Sequence, residues 1–275
     1  MSMAPLVSVI IRTKNEERWI TPCLRAVYSQ TYKNVEVVVV DNASADGSAD
    51  RIAAAYPDVE LRRLATNTGF PANNEALRDL AGVDFVALVN NDAFVTPGWL
   101  GPLVRVLEDE PGLGAACPKL LFAPRFVEVG LDSATSRAPG DSRDLGVRLS
   151  GVELDGIDRW RAAQFPPPGF WGIERGGAAE PMFCWTSGRA ALRVPFDPGV
   201  IPFGTVRLRL AAPRPVTVTL SCAGAERVVE VGTVPAWHAI AVGGEPFDVV
   251  QNAGSIVLDG GYGADRGFLE PDTGQ

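Results

Sequence analysis

The first 122 residues alternate between short apolar runs and segments in which apolar residues recur at helical spacing. The apolar runs are continuous and strand-length, as buried strands of parallel sheets are. Between Trp19 and Tyr28 apolar residues return every three or four positions, which predicts an amphipathic helix. This alternation predicts a doubly wound, mostly parallel α/β sheet. The predicted strands are 6–11, 35–40, 59–64 and 84–89, the helices end near 28, 55, 80 and 108, and 113–122 is expected to return to the sheet.

The pattern changes after Phe122. From about residue 124 to 248 helical periodicity is absent, and proline and glycine become frequent. Apolar and polar residues alternate at period two in four runs, at 206–210, 216–220, 228–231 and 238–242. Runs of this kind separated by turn residues predict an antiparallel, sandwich-like β domain.

Polar clusters follow the predicted strands of the first region or open the helices behind them. They are 12–16, Asp41-Asn42, 66–70 with Asn73-Asn74, and Asn90-Asn91-Asp92. Any one of them could be a turn or a helix cap. Asn90-Asn91-Asp92, for example, could be only a polar turn that leads to a helix capped by Thr96 and started by Pro97. Together they line the carboxyl edge of the sheet, where open α/β sheets bind ligands. Asp92, among oxygen-bearing side chains, is the candidate ligand for a hard divalent cation.

Composition narrows the classes of function. A formal charge of −8 argues against a general nucleic-acid binder, which needs a basic face. The four cysteines show no CxxC spacing and are expected to be reduced. Neither a signal peptide nor a membrane span is predicted. We therefore expect a cytoplasmic protein, and association with the inner face of the membrane stays open.

The ordered motifs resemble those of family 2 glycosyltransferases with a GT-A fold, in the rhamnosyltransferase-like branch. The resemblance covers residues 6–100 and is carried by Val7-Ser8-Val9-Ile10-Ile11-Arg12-Thr13-Lys14-Asn15-Glu16, Val39-Val40-Asp41-Asn42, Asn67-Thr68-Gly69-Phe70 and Leu88-Val89-Asn90-Asn91-Asp92. Each motif is weak alone, and their order makes the set specific. The resemblance implies transfer of a sugar from a UDP- or dTDP-linked donor to a glycan or lipid-linked glycan acceptor.

The same resemblance implies roles for individual residues. Thr13 and Glu16 would belong to the donor-nucleotide loop, Asp41 would contact the base or ribose, and Asn67 would shape the nucleotide pocket. Asn90-Asn91-Asp92 corresponds to the metal-binding DXD-type motif, with Asn90 in place of the first Asp, so that Asp92 would be the main ligand of Mg²⁺ or Mn²⁺. The full set expected to bind the nucleotide-sugar is Thr13, Glu16, Asp41, Asn42, Asn67, Gly69, Asn74, Asn90 and Asn91.

The catalytic base of an inverting displacement has no convincing counterpart. Residues 249–275 resemble the family's link between the donor half and the acceptor half, and the chain then stops. We expect a GT-A domain at 1–122, an inserted β-rich domain at 123–248, and an incomplete return at 249–275, truncated before the acceptor half. Such a fragment is expected to bind donor without transferring sugar. Glu270 and Asp272 are weak candidates for the base, and a mobile polar terminus is the alternative.

Two other functions stay open. A sugar nucleotidyltransferase-like α/β enzyme would need a glycine-rich, basic phosphate loop near the start, and residues 12–15 contain no glycine. A non-catalytic carbohydrate-binding protein would use the β domain instead. Its aromatic residues could present a sugar-stacking surface, although core packing is the commoner role of such side chains; they are Trp160, Phe170, Trp171 and Trp185.

Overall fold

The chain forms two compact units, Met1–Pro118 and Lys119–Gln275, in a computed structural model. The structure describes residues 4–138, 140–176, 181–196, 204–257 and 263–274. The two units are described one at a time. That the β-rich region is an insertion stays a prediction, as does the boundary at residue 122.

The first unit is a parallel α/β sheet in the order β3-β2-β1-β4. All three pairings are parallel, as the alternating pattern predicted. Its elements are β1 (Val7–Thr13), α1 (Glu17–Tyr28), β2 (Val35–Asp41), α2 (Ser48–Ala55), β3 (Glu60–Arg63), α3 (Asn73–Leu77), β4 (Phe85–Asn90) and α4 (Leu100–Asp109). The predicted fold class, a mostly parallel sheet together with a separate antiparallel region, is confirmed.

Helices cover both faces of this sheet. On one face, alternate residues of β1 pack with α1 and α4 in a core that contains Val9, Ile11, Leu24 and Val104. On the opposite face, Ile10 packs with residues of β2 and of the short helix α3. The two faces are apolar because β1 and β2 are apolar at nearly every position, as expected for a sheet buried on both sides.

Three local predictions are wrong. β4 is an edge strand and not a fully buried one, since Leu88, on the same face as its partner Ile10, is 61% exposed. Helix α4 begins at Leu100 and not at Pro97, whose carbonyl accepts hydrogen bonds from the backbone N–H and hydroxyl of Thr31. Residues 113–122 do not return to the parallel sheet, because a loop leads to a two-residue strand that pairs in the second unit.

The second unit contains strands and no helix among its described residues. Its strands are β5 (Leu120–Leu121), β6 (Arg125–Ser133), β7 (Arg148–Leu154), β8 (Ile157–Asp158), β9 (Cys184–Trp185), β10 (Arg189–Phe196), β11 (Gly204–Ala211), β12 (Val216–Cys222), β13 (Ala225–Val231), β14 (Ala236–Val242), β15 (Val250–Asn252), β16 (Ser255–Val257) and β17 (Gly263–Asp265). The two main sheets run in the orders β10-β6-β12-β13 and β14-β11-β7-β8.

These two sheets share one hydrophobic core, as the period-two pattern predicted. Inward residues of β6, β10 and β12, such as Leu131 and Leu192, pack with inward residues of β7 and β11, such as Val152 and Leu208. Trp160 and Phe170 lie against this core, so for these two aromatic residues the packing interpretation is correct. Within the described part of the chain, no helix is long and apolar enough to cross a membrane.

Candidate functional site: the carboxyl edge of the parallel sheet

The carboxyl ends of three strands bring the predicted polar residues of the first unit to one edge. In the sheet register Thr13 is the partner of Asp41, and Arg12 is the partner of Asn90. Each strand ends where its apolar run stops, so the loops that follow β1, β2 and β4 begin side by side. The geometry therefore gathers residues that are distant in the sequence along one side of the sheet.

Asn42 is the centre of the hydrogen-bond network at this edge. Its side chain is fully buried, and its Nδ2 donates to Asn67 Oδ1 at 2.7 Å and to the Gly69 carbonyl at 3.2 Å. Its Oδ1 accepts the backbone N–H of Thr68 at 2.9 Å. Asn67 Oδ1 in turn accepts the N–H of Gly69 at 3.0 Å. One buried amide thus fixes the 67–69 loop against the end of β2.

Asp41 is buried with one oxygen unused. Only 3% of the residue is exposed, and its Oδ2 accepts the N–H of Ser44 at 3.3 Å. Its Oδ1 is buried and has no hydrogen-bond partner among the described residues. Buried carboxylate oxygens are normally hydrogen-bonded, and an exception needs an explanation. A ligand that brings an N–H or O–H donor to this edge would supply the missing partner.

The loops after β1 and β2 are joined directly to each other. The N–H of Asn15 donates to Ser44 Oγ at 2.9 Å, and Asn15 Oδ1 accepts the N–H of Ala45 at 2.8 Å. The Lys14 ammonium donates to the Ala43 carbonyl. Asn15 and Ala43 both have positive φ, a conformation uncommon for non-glycine residues that concentrates at ligand sites. These contacts make one continuous rim from two loops.

Asp46 extends this rim to the start of α1. Its Oδ2 accepts the N–H of Glu17 at 3.1 Å, and its Oδ1 accepts the N–H of Ser48 at 3.0 Å. Partial desolvation acts to raise the pKa of Asp46, but the hydrogen bonds from Ser48 and Glu17 outweigh it and hold that pKa below its ordinary value. Sequence reasoning did not single out Asn15, Ser44 or Asp46, although their residue types suit loop contacts of this kind.

Asn90, Asn91 and Asp92 form a turn at the end of β4. Asn91 Nδ2 donates to Thr13 Oγ1 at 3.3 Å, and the Asn90 carbonyl accepts the N–H of Ala93 at 3.0 Å. The Cys23 thiol of α1 also donates to the Asn90 carbonyl, at 3.5 Å. Burial, and secondly the negative charge of Asp92, raise the pKa of Cys23 to about 12. Asp92 itself is exposed and has no basic partner among the described residues.

The comparisons with known proteins agree with this geometry. Residues 8–126 match the profile of the family described as Glycosyl transferase family 2. This segment is a family 2 glycosyltransferase domain. The match begins in β1 and includes every polar cluster that meets at the sheet edge.

Curated relatives of this segment are described as glycosyltransferases. The chain is 30% identical over 112 residues to the Bacillus subtilis "Putative glycosyltransferase EpsH", covering 40% of this chain and 32% of that protein. It is 37% identical over 105 residues to the Haloferax volcanii "Glycosyltransferase AglE", covering 36% of this chain and 34% of that protein. The chain thus spans about a third of the length of these relatives.

A solved structure with a similar region is S. aureus TarS 1-349 in complex with UDP. It shares 26% identity, covers 44% of this chain and 40% of that chain, and superposes with a TM-score of 0.36. Because this superposition is limited, the assignment of the domain rests on the family profile and on the sequence relatives.

Two predicted residues of the family 2 domain lie outside the network. Glu16 precedes α1, and its carbonyl accepts the N–H groups of Trp19 and Ile20, while its side chain makes no capping hydrogen bond. Asn74 is exposed on α3. Their roles toward a nucleotide-sugar stay predictions, as do those of the networked residues.

The stacked pair Arg12–Phe70 was missed by sequence reasoning. The Arg12 guanidinium carbon lies 4.9 Å from the centre of the Phe70 ring, and Phe70 is 75% exposed. Gly69 directly before it has a φ of 70°, which lets the chain turn and present the ring. The signal in the sequence was the bulky apolar residue that follows a glycine in a polar loop.

The oxygen-bearing side chains at the end of β4 are the candidate ligands for the predicted metal ion. No group of three or more His, Cys, Asp or Glu side chains that could hold an ion occurs among the described residues. Asp92 with the amides of Asn90 and Asn91 is an all-oxygen set, which suits Mg²⁺ or Mn²⁺. Mg²⁺ is commonly held by one or two carboxylates together with substrate phosphates. The residues present therefore fit an ion that arrives with a diphosphate.

The two weak candidates for the base lie in the second unit. Asp272 forms an ion pair with Lys119 at 2.6 Å, and this contact holds the pKa of Asp272 below its ordinary value. A carboxylate in that state is a poor proton acceptor at neutral pH. Glu270 is exposed, and its backbone pairs with Val250 and Gly267. Backbone hydrogen bonds join Glu270 and Asp272 to other residues of the second unit, and the alternative of a mobile polar terminus stays a prediction.

Proposed function

We propose that the first unit is the donor-binding portion of a glycosyltransferase, which binds a nucleotide diphosphate sugar whose sugar is transferred to a glycan or lipid-linked glycan acceptor. The observation that carries the proposal is the buried Asp41 beside the Asn42 network, because its Oδ1 has no hydrogen-bond partner in the part of the chain that the structure describes. The base or ribose of a UDP- or dTDP-linked donor has N–H and O–H groups that could satisfy this oxygen. The diphosphate would then extend toward Asp92.

The residues at the carboxyl edge of the sheet have different roles in this proposal. Asn42 would keep the 67–69 loop in place as one wall of the nucleotide site. Asn91 would hold the metal turn against β1 through its hydrogen bond to Thr13. Asp92, with Asn90 and Asn91, would hold Mg²⁺ or Mn²⁺. A bound divalent ion offsets the negative charge that develops on a departing diphosphate.

We infer an inverting displacement, in which a carboxylate accepts the proton of the acceptor hydroxyl. The support is the family alone, and no carboxylate of the described residues is assigned to that step. A cytoplasmic location belongs to the proposal as well. It is supported by four cysteines that are all free thiols, three of them buried.

Isothermal titration of the full chain with UDP and with dTDP, with and without Mn²⁺, tests the donor site. We expect binding that requires the ion, because Asp92 alone offers little attraction to a diphosphate. Asp92→Ala should remove the metal dependence and leave the melting temperature nearly unchanged, since this exposed side chain forms no ion pair with any described residue. Asp79→Ala, an exposed carboxylate of the same unit, is the matched control. Equal affinity with and without Mn²⁺ would remove the metal from the proposal, and no binding at all would remove the nucleotide.

A further inference from the structure

The outer face of the β10-β6-β12-β13 sheet contains a cleft of about 760 Å³. All of its lining residues lie beyond residue 126, outside the family 2 domain. The cleft is deep because the residues that form its floor are small and lie side by side on neighbouring strands. Ala191 is the partner of Gly130, and Gly130 is the partner of Ser221.

One wall of the cleft is residues 166–169, and it is preformed. The N–H of Ser187 donates to the Gly169 carbonyl at 3.0 Å, and the Ser187 hydroxyl donates to the Pro168 carbonyl at 3.2 Å. Gly169 lies so close to β10 that a Cβ there would be 2.7 Å from the Ala190 Cα. The wall cannot collapse onto the floor without breaking these contacts, so the cleft exists before any ligand binds.

The polar groups of the cleft come in donor–acceptor pairs. Arg189 pairs with Asp132 at 2.8 Å in an exposed ion pair. Arg193 is buried at the base of the cleft, where its Nε lies 3.5 Å from Glu128 and its Nη1 donates to the Leu269 carbonyl. Glu226 and Thr219 also line the cleft and have no side-chain partner among the described residues. The lining therefore offers guanidinium donors and carboxylate acceptors close together, with three carboxylates and two guanidinium groups in all.

We propose that this cleft binds a neutral oligosaccharide. A sugar hydroxyl both donates and accepts hydrogen bonds, so neighbouring hydroxyls can bridge an Arg–carboxylate pair without leaving either charge unpaired. An anionic ligand would meet an excess of carboxylates. An apolar ligand would remove water from the ion pairs and would offer no hydrogen bonds in place of those that the water made. The volume lies within the roughly 300–1,000 Å³ typical of ligand sites.

The proposed glycan site does not depend on the donor site, and the experiment distinguishes glycan binding in the cleft from nucleotide binding at the sheet edge. The full chain is titrated calorimetrically with neutral hexasaccharides of glucose, mannose, galactose and rhamnose, and with an acidic hexasaccharide of alternating glucuronate and N-acetylglucosamine. We expect at least one neutral hexasaccharide to bind and the acidic one to bind more weakly. Ala191→Tyr should fill the floor from an outward-facing position and weaken that binding by about tenfold or more.

Two variants control the experiment. Ala241→Tyr makes the same substitution on the outer face of the other main sheet, at an exposed position that does not line the cleft, and it should bind as the unaltered chain does. Asp92→Ala should also leave glycan binding unchanged. Absence of binding for all four neutral glycans would overturn the proposal. So would a preference for the acidic glycan, unchanged affinity in a folded Ala191→Tyr variant, or loss of binding in Asp92→Ala.

Discussion

In the α/β unit the polar residues of interest lie in loops where strands end, whereas in the β-rich unit they lie on the outer faces of the strands themselves. Asp41 and Asp92 pair with no lysine or arginine among the described residues. On the β-rich unit's sheets, Asp132 pairs with Arg189 and Glu153 pairs with Arg207 at 2.9 Å. These carboxylates of the two regions thus differ in whether a basic partner is present before a ligand arrives.

This difference separates two kinds of binding site. A carboxylate without a basic partner is available to a cation or to a ligand N–H, and a loop can close around either. A carboxylate that is already paired on a sheet face contributes little binding free energy unless the ligand forms hydrogen bonds with both members of the pair. The first arrangement suits a nucleotide with its ion, and the second suits a polyhydroxylated ligand.

The largest effect is expected in the core of the β-rich unit. Leu208→Ala removes a fully buried side chain from the core that both sheets share, and it should lower the free energy of unfolding by about 2–5 kcal/mol. Leu88→Ala makes the same change on the edge strand of the α/β unit, where the side chain is 61% exposed, and it should cost about 0.5 kcal/mol or less. Urea denaturation of both variants measures the difference. Equal losses would mean that the two regions are not packed as described.

A smaller effect is expected at Asp41, and it should appear in binding. Asp41→Ala removes the buried carboxylate, and losing a charge-assisted hydrogen bond there should cost about 1.5–3 kcal/mol of nucleotide affinity, or roughly ten- to hundredfold. The requirement for Mn²⁺ should persist, because Asp92 is intact. Calorimetry with UDP and Mn²⁺ provides the measurement, again with Asp79→Ala as control. Unchanged affinity would show that the nucleotide lies elsewhere.

The smallest effect concerns the pH dependence of stability in the β-rich unit. Hydrogen bonds from the Arg143 side chain lower the pKa of Asp141 to about 2. A carboxylate whose pKa is lowered by folding stabilises the protein above its unfolded pKa, near 4, and this stabilisation is lost as the pH falls toward 2. Asp141→Asn should therefore reduce the fall of the melting temperature between about pH 4 and pH 2. Thermal melts across this range would show identical slopes if the pair contributes nothing.

The sequence was sufficient for the features that depend on continuous local patterns. Strands β1 and β2 follow directly from their apolar runs, and parallel pairing places Thr13 beside Asp41. It was insufficient where a few residues or a distant partner decide the outcome. Strand β5 has two residues and pairs with β15 more than a hundred residues later, and no local pattern specifies such a partner. Helix α4 begins late because Thr31 takes the Pro97 carbonyl, a contact between separate loops.

Prediction of the candidate site from the sequence has the same limit. Residue types and order indicated Asp41, Asn42 and Asn67, since polar residues after apolar strands gather at one edge. The joining of Asn15 to Ser44 and the stacking of Arg12 on Phe70 depend on loop geometry that has no periodicity to reveal it. The unused Oδ1 of Asp41 could be recognised only once its surroundings were known.

Hydrogen–deuterium exchange of the full chain, with and without UDP and Mn²⁺, tests the central claim most directly. The claim is that a nucleotide binds at the carboxyl edge of the parallel sheet, between the loops that follow β1, β2 and β4. The account predicts slower exchange for the amides of residues 42–45 and 67–69, with no change in β11 to β13. Protection confined to the β-rich unit, or none at a concentration of UDP that saturates binding, would contradict it.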